Sequence, residues 1–339
     1  MMKMIKVEDA IGTVLSHDVT QIIPGEFKGR LFKKGHLIQE EDIEKLRAIG
    51  KEHIYVWEAK EGQLHENEAA TRLAHLVKGE GIALSEEIKE GKIDFFAATD
   101  GVLKVDKEKL FTLNSIGEMM MATIHHNTPL KKGEKIGGTR VIPLIIDEEK
   151  IIQAENLIKE RVIWLETFKP KKCLLITTGN EVYKGTIKDA FLPVIERKLG
   201  EYGSEVIRQV ILPDQKERII EEIQKGIEEK VDLIICTGGM SVDPDDVTPT
   251  AIKESGCDLV TYGSPILPGA MFLLAYHGNI PVLGVPSCAM YSKRTVLDLV
   301  LPRILTDEIL TKDDIAAYGH GGLCLDCDVC SFPHCSFGK

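Results

Sequence analysis

The chain has 339 residues, 43% hydrophobic and 28% charged, enough to bury more than one core and too apolar for a wholly disordered or collagen-like protein. Lys and Arg number 42 against 53 Asp and Glu, a formal net charge of −11. That balance disfavours general binding to nucleic acid or to an anionic membrane face, since both reward a basic surface. No apolar run is long enough for a transmembrane helix, and the start, Met1 to Asp9, is charged where a secretion signal is apolar. The expectation is a cytoplasmic protein with no membrane and no nucleic-acid partner.

In chain order, Ile43, Leu46 and Ile49 at three-residue steps predict a helix from about Glu40, ended by Gly50, and Ile54 to Trp57 reads as a strand. Glu58 to Glu68 is polar and reads as a linker. Short strands are predicted over Ile93–Ala98 and Val102–Val105, with turn chemistry from Pro129 to Gly138 and an apolar run from Val141 to Ile146. The organisation expected is an N-terminal α+β segment over 1–60, a β-rich accessory domain over 61–165, an α/β domain over 166–310 and a Cys-rich tail over 311–339.

After Pro170 short apolar runs alternate with amphipathic stretches. Cys173 to Ile176, Glu205 to Leu212 and Val231 to Cys236 read as strands; Ile187 to Leu199, a stretch opened by Pro213-Asp214 and one from Tyr291 to Leu305 read as helices. Met271–Ala275 and Ile280–Val285 read as a hairpin. This alternation is the mark of a parallel sheet, and ligands of such sheets bind beyond the carboxyl ends of the strands. The most polar and Gly-rich segments fall at those ends: Thr178-Gly179-Asn180-Glu181, Pro213-Asp214, Thr237-Gly238-Gly239-Met240-Ser241 running on to Pro249, and Pro286-Ser287.

Glycines in such loops let backbone N–H groups approach a phosphate, and the hydroxyls of Thr178, Ser241, Thr248 and Ser287 can donate to the same group. The plainer account is that every α/β turn needs such residues. Asp214, Asp243, Asp245 and Asp246 have two readings. Asp246 before Val247-Thr248-Pro249 suits a helix N-cap. Alternatively, carboxylates beside a phosphate cradle call for a divalent cation such as Mg²⁺. No P-loop and no G-x-G-x-x-G follows a strand.

Thr177 to Glu181 with Gly185-Thr186-Ile187, Asp214, Thr237 to Val242, Asp245 to Pro249, Pro268-Gly269 and Gly284 to Ser287 occur in an order that resembles the molybdopterin-binding domain of molybdenum-cofactor biosynthesis proteins. Val7 to Leu15 followed by Asp18-Val19 is similar, more weakly, to the opening of the molybdopterin molybdotransferases. The resemblance implies a doubly wound α/β fold for this part, with a mixed α+β, β-rich region before it. It implies molybdopterin or its adenylate as ligand, bound by Thr178, Gly179, Asn180, Glu181, Thr237, Gly238, Gly239, Met240, Ser241, Asp243, Asp245, Thr248, Pro268, Gly269, Pro286 and Ser287. Asp214 and Asp246 would hold Mg²⁺ in catalysis, with molybdate as co-substrate. It also implies a homo-oligomer and a molybdenum-enzyme partner.

The sequence departs from the molybdotransferase pattern at Lys188-Asp189, at Ala270-Met271, where a lysine is lost, and at Ser287-Cys288. Three activities follow as alternatives: a transferase inserting molybdate, a non-catalytic carrier with a redox-sensitive metal tail, and a nucleotide pyrophosphatase as in competence-damage-inducible proteins, which this domain also resembles.

Cys324, Cys327, Cys330 and Cys335 form C-x2-C-x2-C-x4-C. Three cysteines at three-residue steps point to an iron–sulfur cluster, with Zn²⁺ as the alternative and a metal-free tail as the plain reading. Gly319, Gly321 and Gly322 before them suggest a flexible tether. Elsewhere, His125-His126 on a strand would face opposite ways. Lys28, Arg30, Lys33, Lys34 and His36 near Gly25, Gly29 and Gly35 read as a solvated basic loop, Met119 to Met121 as core filling, and Cys288 as a packing residue.

Overall fold

The computed structural model describes residues 2–23, 27–57 and 62–339, and the chain divides into two units. The first comprises 1–98, 105–124 and 132–164; the second comprises 99–104, 125–131 and 165–339.

In the first unit, Met2–Lys6 pairs antiparallel with His53–Trp57, and Val19–Ile23 pairs with Phe27–Phe32. Helix Glu40–Ala48 packs Ile43 and Leu46 into a small core with Val7, Leu15, Ile38 and Ile54. Gln39 and Asp42 close a reciprocal capping box at its start. Farther along, a four-stranded sheet runs in the order Ile82–Leu84, Lys92–Ala97, Lys135–Val141, Met119–Thr123. Three helices, Glu66–Val77, Lys107–Ile116 and Glu148–Ile158, share this region with the strands, so it is mixed α+β and not mainly β. The expected linker is shorter than its charge suggests. Gln63–His65 is a strand and Glu66 to Glu68 open a helix; residues 58–61 lie outside the described residues. Ala69, Ala70, Leu73, Ala74 and Val77 give that helix one buried face, and the charges of its first turn suit its N-terminus.

Several local expectations resolve here. Met119 and Met121 are buried and Met120 is exposed, as alternation along a strand requires. The expected basic loop is corrected: Lys28 and Arg30 lie on the strand Phe27–Phe32, and Arg30 is paired with Asp18 at 2.9 Å; Gly25 lies outside the described residues.

In the second unit the six strands β1 (Lys172–Thr178), β2 (Glu205–Leu212), β3 (Leu233–Thr237), β4 (Asp258–Tyr262), β5 (Leu273–His277) and β6 (Ile280–Val285) form one sheet in the order β2-β1-β3-β6-β5-β4. β2, β1, β3 and β6 are parallel, and β5 and β4 are added antiparallel through the expected hairpin. The helices are α1 (Asn180–Tyr183), α2 (Phe191–Gly200), α3 (Lys216–Glu228), α4 (Thr248–Glu254), α5 (Val296–Ile304) and α6 (Lys312–Ala317).

The strands are apolar throughout because both faces are covered. Cys173, Leu175, Leu233, Ile235 and Leu283 face Ile195 and Leu199 of α2 and the apolar side of α5. Leu174, Ile176, Ile234, Cys236 and Val282 face Ile219 and Ile223 of α3 and Ile252 of α4. Each fully buried Ile of α3 contributes about 1.5–3 kcal/mol. α2 begins at Phe191, four residues after Ile187, because the Asp189 carboxylate accepts from the N–H groups of Phe191 and Leu192 at 2.9 and 3.1 Å. α5 begins at Val296 rather than Tyr291; a 3-10 turn, Ser287–Met290, intervenes, and Thr295 with Asp298 forms its capping box.

His125 and His126 are not on a strand as expected but follow one, entering the turn before Thr128. The tail is no tether either. Phe337 is buried in the core of this unit, and a Cβ on Gly321 or Gly322 would stand 2.2 Å from the Lys339 carbonyl or 2.3 Å from the Tyr318 carbonyl. These glycines allow close packing. Among the described residues no helix is long and apolar enough to cross a membrane.

Candidate functional site

The carboxyl ends of β1 and β3 bring two glycine loops together. Gly238 has φ +85°, and a Cβ there would lie 2.1 Å from the Thr178 carbonyl oxygen. Gly239 has φ +55°, and a Cβ would lie 2.8 Å from Thr248 Oγ1 and 3.7 Å from Asp214 Oδ1. Only glycine meets both conditions, so the backbone here is bare beside two hydroxyls. Those hydroxyls, Thr178 and Thr248, are 3.1 Å apart and buried.

Asp214 and Asp246 edge this cradle, and neither caps a helix. Asp214 Oδ2 accepts from the Asn180 N–H at 2.9 Å, joining the end of β2 to the loop after β1, and the N-cap of α3 is Gln215. Asp246 Oδ2 accepts from the Ser241 N–H at 2.8 Å, folding the long loop back on itself, and the N-cap of α4 is Val247. The capping expectation for Asp246 is corrected: its reach across five residues to a bare N–H wins over its place before the helix. Burial raises the Asp214 pKa above the usual aspartate value; the Asn180 N–H opposes this, and the carboxylates of Glu181, Asp246 and Asp245 add to it. A raised carboxyl among like charges is the electrostatic signature of a cation or proton site.

The other expected residues take varied places. Thr237 is buried, its hydroxyl 3.4 Å from that of Thr177. Met240 is buried where its side chain would meet any Cβ on Gly284. Asn180, Glu181, Ser241, Asp243 and Asp245 are exposed around the cradle. Pro268 and Gly269 sit at the start of α5 instead: the Val296 N–H donates to the Pro268 carbonyl at 3.1 Å, and a Cβ on Gly269 would collide with Val296. The Pro286 carbonyl accepts from the Ala289 N–H at 3.1 Å, and Ser287 is exposed beside it. Burial raises the Cys288 thiol, in keeping with packing and not with an activated nucleophile.

Two supporting residues carry no motif. Gln209 on β2 donates from Nε2 to Thr177 Oγ1 at 3.0 Å and to Asp189 Oδ2 at 2.7 Å, linking the strand ends to the cap of α2. Tyr262 at the end of β4 donates its hydroxyl to the Met240 carbonyl at 2.9 Å and so tethers the Gly238–Ser241 loop. The available signal was a polar residue inside the strand for Gln209 and an amphipathic one at a strand's carboxyl end for Tyr262, which periodicity alone does not separate from an exposed edge.

Among the described residues, no group of three or more His, Cys, Asp and Glu side chains is placed to hold a metal ion. The expectations of Mg²⁺ at Asp214 and Asp246 and of a metal on the tail cysteines are therefore not met by a converged ligand set. A cavity of about 380 Å³ lies at the opposite, amino edge of the sheet, lined by Lys171, Asp232, Asn279 and Glu308 among others.

Four parallel strands with helices on both faces, and two glycine loops meeting at their carboxyl ends, define a doubly wound α/β domain. Residues 174–306 match the family described as "Probable molybdopterin binding domain", and this part of the chain is a domain of that molybdopterin-binding family. Residues 4–58 match a domain of unknown function. A CinA-like protein of Thermosipho melanesiensis is 38% identical over 85 residues, 25% of this chain and 21% of the relative. Another, of Fervidobacterium nodosum, is 33% identical over 129 residues, 38% of this chain and 31% of the relative. The chain thus spans about a fifth to a third of the length of these curated relatives. Among solved structures, the molybdopterin biosynthesis enzyme MoaB of Thermus thermophilus is similar at 20% identity, over 40% of this chain and 91% of that one, with a TM-score of 0.33. The protein CinA of Thermoplasma acidophilum, described as of unknown function, is similar at 19% identity, over 35% and 90%, with a TM-score of 0.31.

Proposed function

We propose that the second unit binds molybdopterin or adenylated molybdopterin at the carboxyl edge of its sheet and promotes Mg²⁺-dependent molybdate insertion in molybdenum-cofactor biosynthesis. The observation that carries this reading is the side-chain-free backbone of Gly238 and Gly239, braced from beneath by the buried Thr178–Thr248 hydroxyl pair, a backbone surface suited to a phosphate, inside a domain of the molybdopterin-binding family. Mg²⁺ commonly takes only one or two carboxylates and completes its shell with water and substrate phosphate, so Asp214 and Asp246 suffice as its protein ligands. Mg²⁺ there would neutralise phosphate charge beside an acidic rim. The protein's own part is to hold the phosphate in place and present the two carboxylates, with no covalent nucleophile.

The test is equilibrium binding of molybdopterin and its adenylate under anaerobic conditions, with and without Mg²⁺. Tight, Mg²⁺-sensitive binding of the adenylate, weakened in Asp246→Asn, supports the transferase. Tight binding indifferent to Mg²⁺ replaces it with a carrier. Absence of binding to either pterin overturns the assignment.

A second reading, a nucleotide pyrophosphatase, rests on the resemblance of this domain to competence-damage-inducible proteins, a name that a relative 33% identical over 87 residues also carries. Water would attack one phosphorus of a dinucleotide and break its P–O–P bridge, giving two monophosphates. Release of AMP from a dinucleotide without any pterin distinguishes it.

A further inference from the structure

The C-terminal cysteines are packed as a built site. Cys324, Cys327, Cys330 and Cys335 all line one cavity of about 50 Å³, and all four are free thiols. The walls are held by ordinary packing. Phe337 is 2% exposed in the core, its ring centroid 6.1 Å from that of Phe332, and Leu323 bridges to Leu267 while the Cys324 N–H donates to the Leu267 carbonyl at 2.8 Å. A folded segment thus brings four cysteines to the border of one cavity, while among the described residues their side chains do not converge on a single point.

The cavity is also cationic. Lys293 and Arg294 line it; Lys293 Nζ donates to the carbonyls of Cys327 and Asp328 at 2.8 and 3.1 Å, and the Arg294 guanidinium lies 4.8 Å from the Phe332 ring centroid. Four thiolates around an inorganic core leave net negative charge, which Lys293 opposes; Arg294 is shared with Asp298 at 2.8 Å, and Asp326 also lines the cavity.

Size separates a cluster from a single ion. Tetrahedral zinc needs its thiolates drawn to one point about 2.3 Å from each sulfur, yet among the described residues no three ligand side chains are so placed. The cavity of about 50 Å³ is several times the ~10–15 Å³ that one water requires. Cysteines spread around a space of that size suit a core that meets each of them at its own corner. The spacing C-x2-C-x2-C is shared with cluster-binding segments. We propose that Cys324, Cys327, Cys330 and Cys335 ligate an iron–sulfur cluster in the cavity beside Lys293 and Arg294.

The experiment is anaerobic reconstitution of the full chain with ferrous iron and sulfide, followed by iron and acid-labile sulfide analysis, visible absorption and electron paramagnetic resonance after dithionite reduction. The expected result is about four iron and about four sulfide per chain, as for a four-cysteine cubane. Cys327 and Cys330 are exposed, so Cys327→Ser and Cys330→Ser should retain the melting temperature while losing most of the iron, sulfide and colour. Cys288→Ser, outside the cavity, should retain all three. Stoichiometric zinc without sulfide in the anaerobically purified chain would overturn the proposal. So would undiminished iron and sulfide in the Cys327→Ser, Cys330→Ser double variant.

Discussion

Lys198 and Asp298 form a buried ion pair in which Nζ lies 2.6 Å from both carboxylate oxygens. The pair ties α2 to α5, and the same carboxylate closes the capping box with Thr295 and accepts from Arg294 at 2.8 Å. Asp298 thus holds the start of α5, against which Gly269 packs and from which Arg294 reaches the cysteine cavity.

Removing Lys198 leaves the buried Asp298 carboxylate with Arg294 and the Thr295 N–H as its partners. Lys198→Met is expected to destabilise the second unit by about 1.5–3 kcal/mol, the worth of a lost hydrogen bond to a charged group. Urea denaturation followed by far-UV circular dichroism measures it; a loss below about 1 kcal/mol would mean the pair is solvated in solution.

Two glycines with positive φ should respond differently to alanine. At Gly278 the space is open, so only the conformational cost of about 1–2 kcal/mol applies. At Gly238 the new Cβ also meets the Thr178 carbonyl, so Gly238→Ala should cost distinctly more, by about 1–3 kcal/mol of overpacking, and lose ligand affinity. Equal stability of the two variants would refute the close approach of the two loops.

Thr248→Val keeps shape and removes one hydroxyl of the 3.1 Å pair. Thr248 is fully buried beneath Gly239, so losing its bond to Thr178 loosens the glycine loop; the expected result is weaker ligand binding at a stability cost near ~1 kcal/mol. Calorimetric titration with the adenylated pterin checks the first, and urea denaturation the second. Unchanged affinity would place the phosphate elsewhere.

In the first unit Glu66 is 8% exposed, and burial pushes its pKa from 4.5 to about 7; Arg140 and Lys34 oppose the rise, while Glu90 and Asp18 reinforce it. Between those two values the folded chain holds a proton that the unfolded chain has released. Stability therefore falls as pH rises from about 4.5 to about 7 and stays lower above. Glu66→Gln should flatten that slope in the denaturant midpoint. An identical slope in wild type and variant would assign it to other groups.

The order of strands and helices after Pro170 was legible because apolar runs of strand length alternate with amphipathic stretches, and the glycine loops were legible because only glycine turns so tightly there. Which carboxylates act as caps was not: Asp246 stands before a helix in the sequence but spends its oxygen on the Ser241 N–H, a contact made by the fold of the loop. The helix at Glu66 was hidden by a charged first turn that reads as linker until its buried face is seen.

Residue types and spacings by themselves determined the α/β alternation, the glycine cradle and the set of four cysteines, since these depend on periodicity and on backbone freedom local to the chain. Only the tertiary structure decided that Gly238 lies against the Thr178 carbonyl, that Tyr262 and Gln209 brace the strand ends, and that the cysteines surround one cavity. Those relationships join segments far apart in sequence, and they exist only because burying both faces of the sheet fixes its strands in one order.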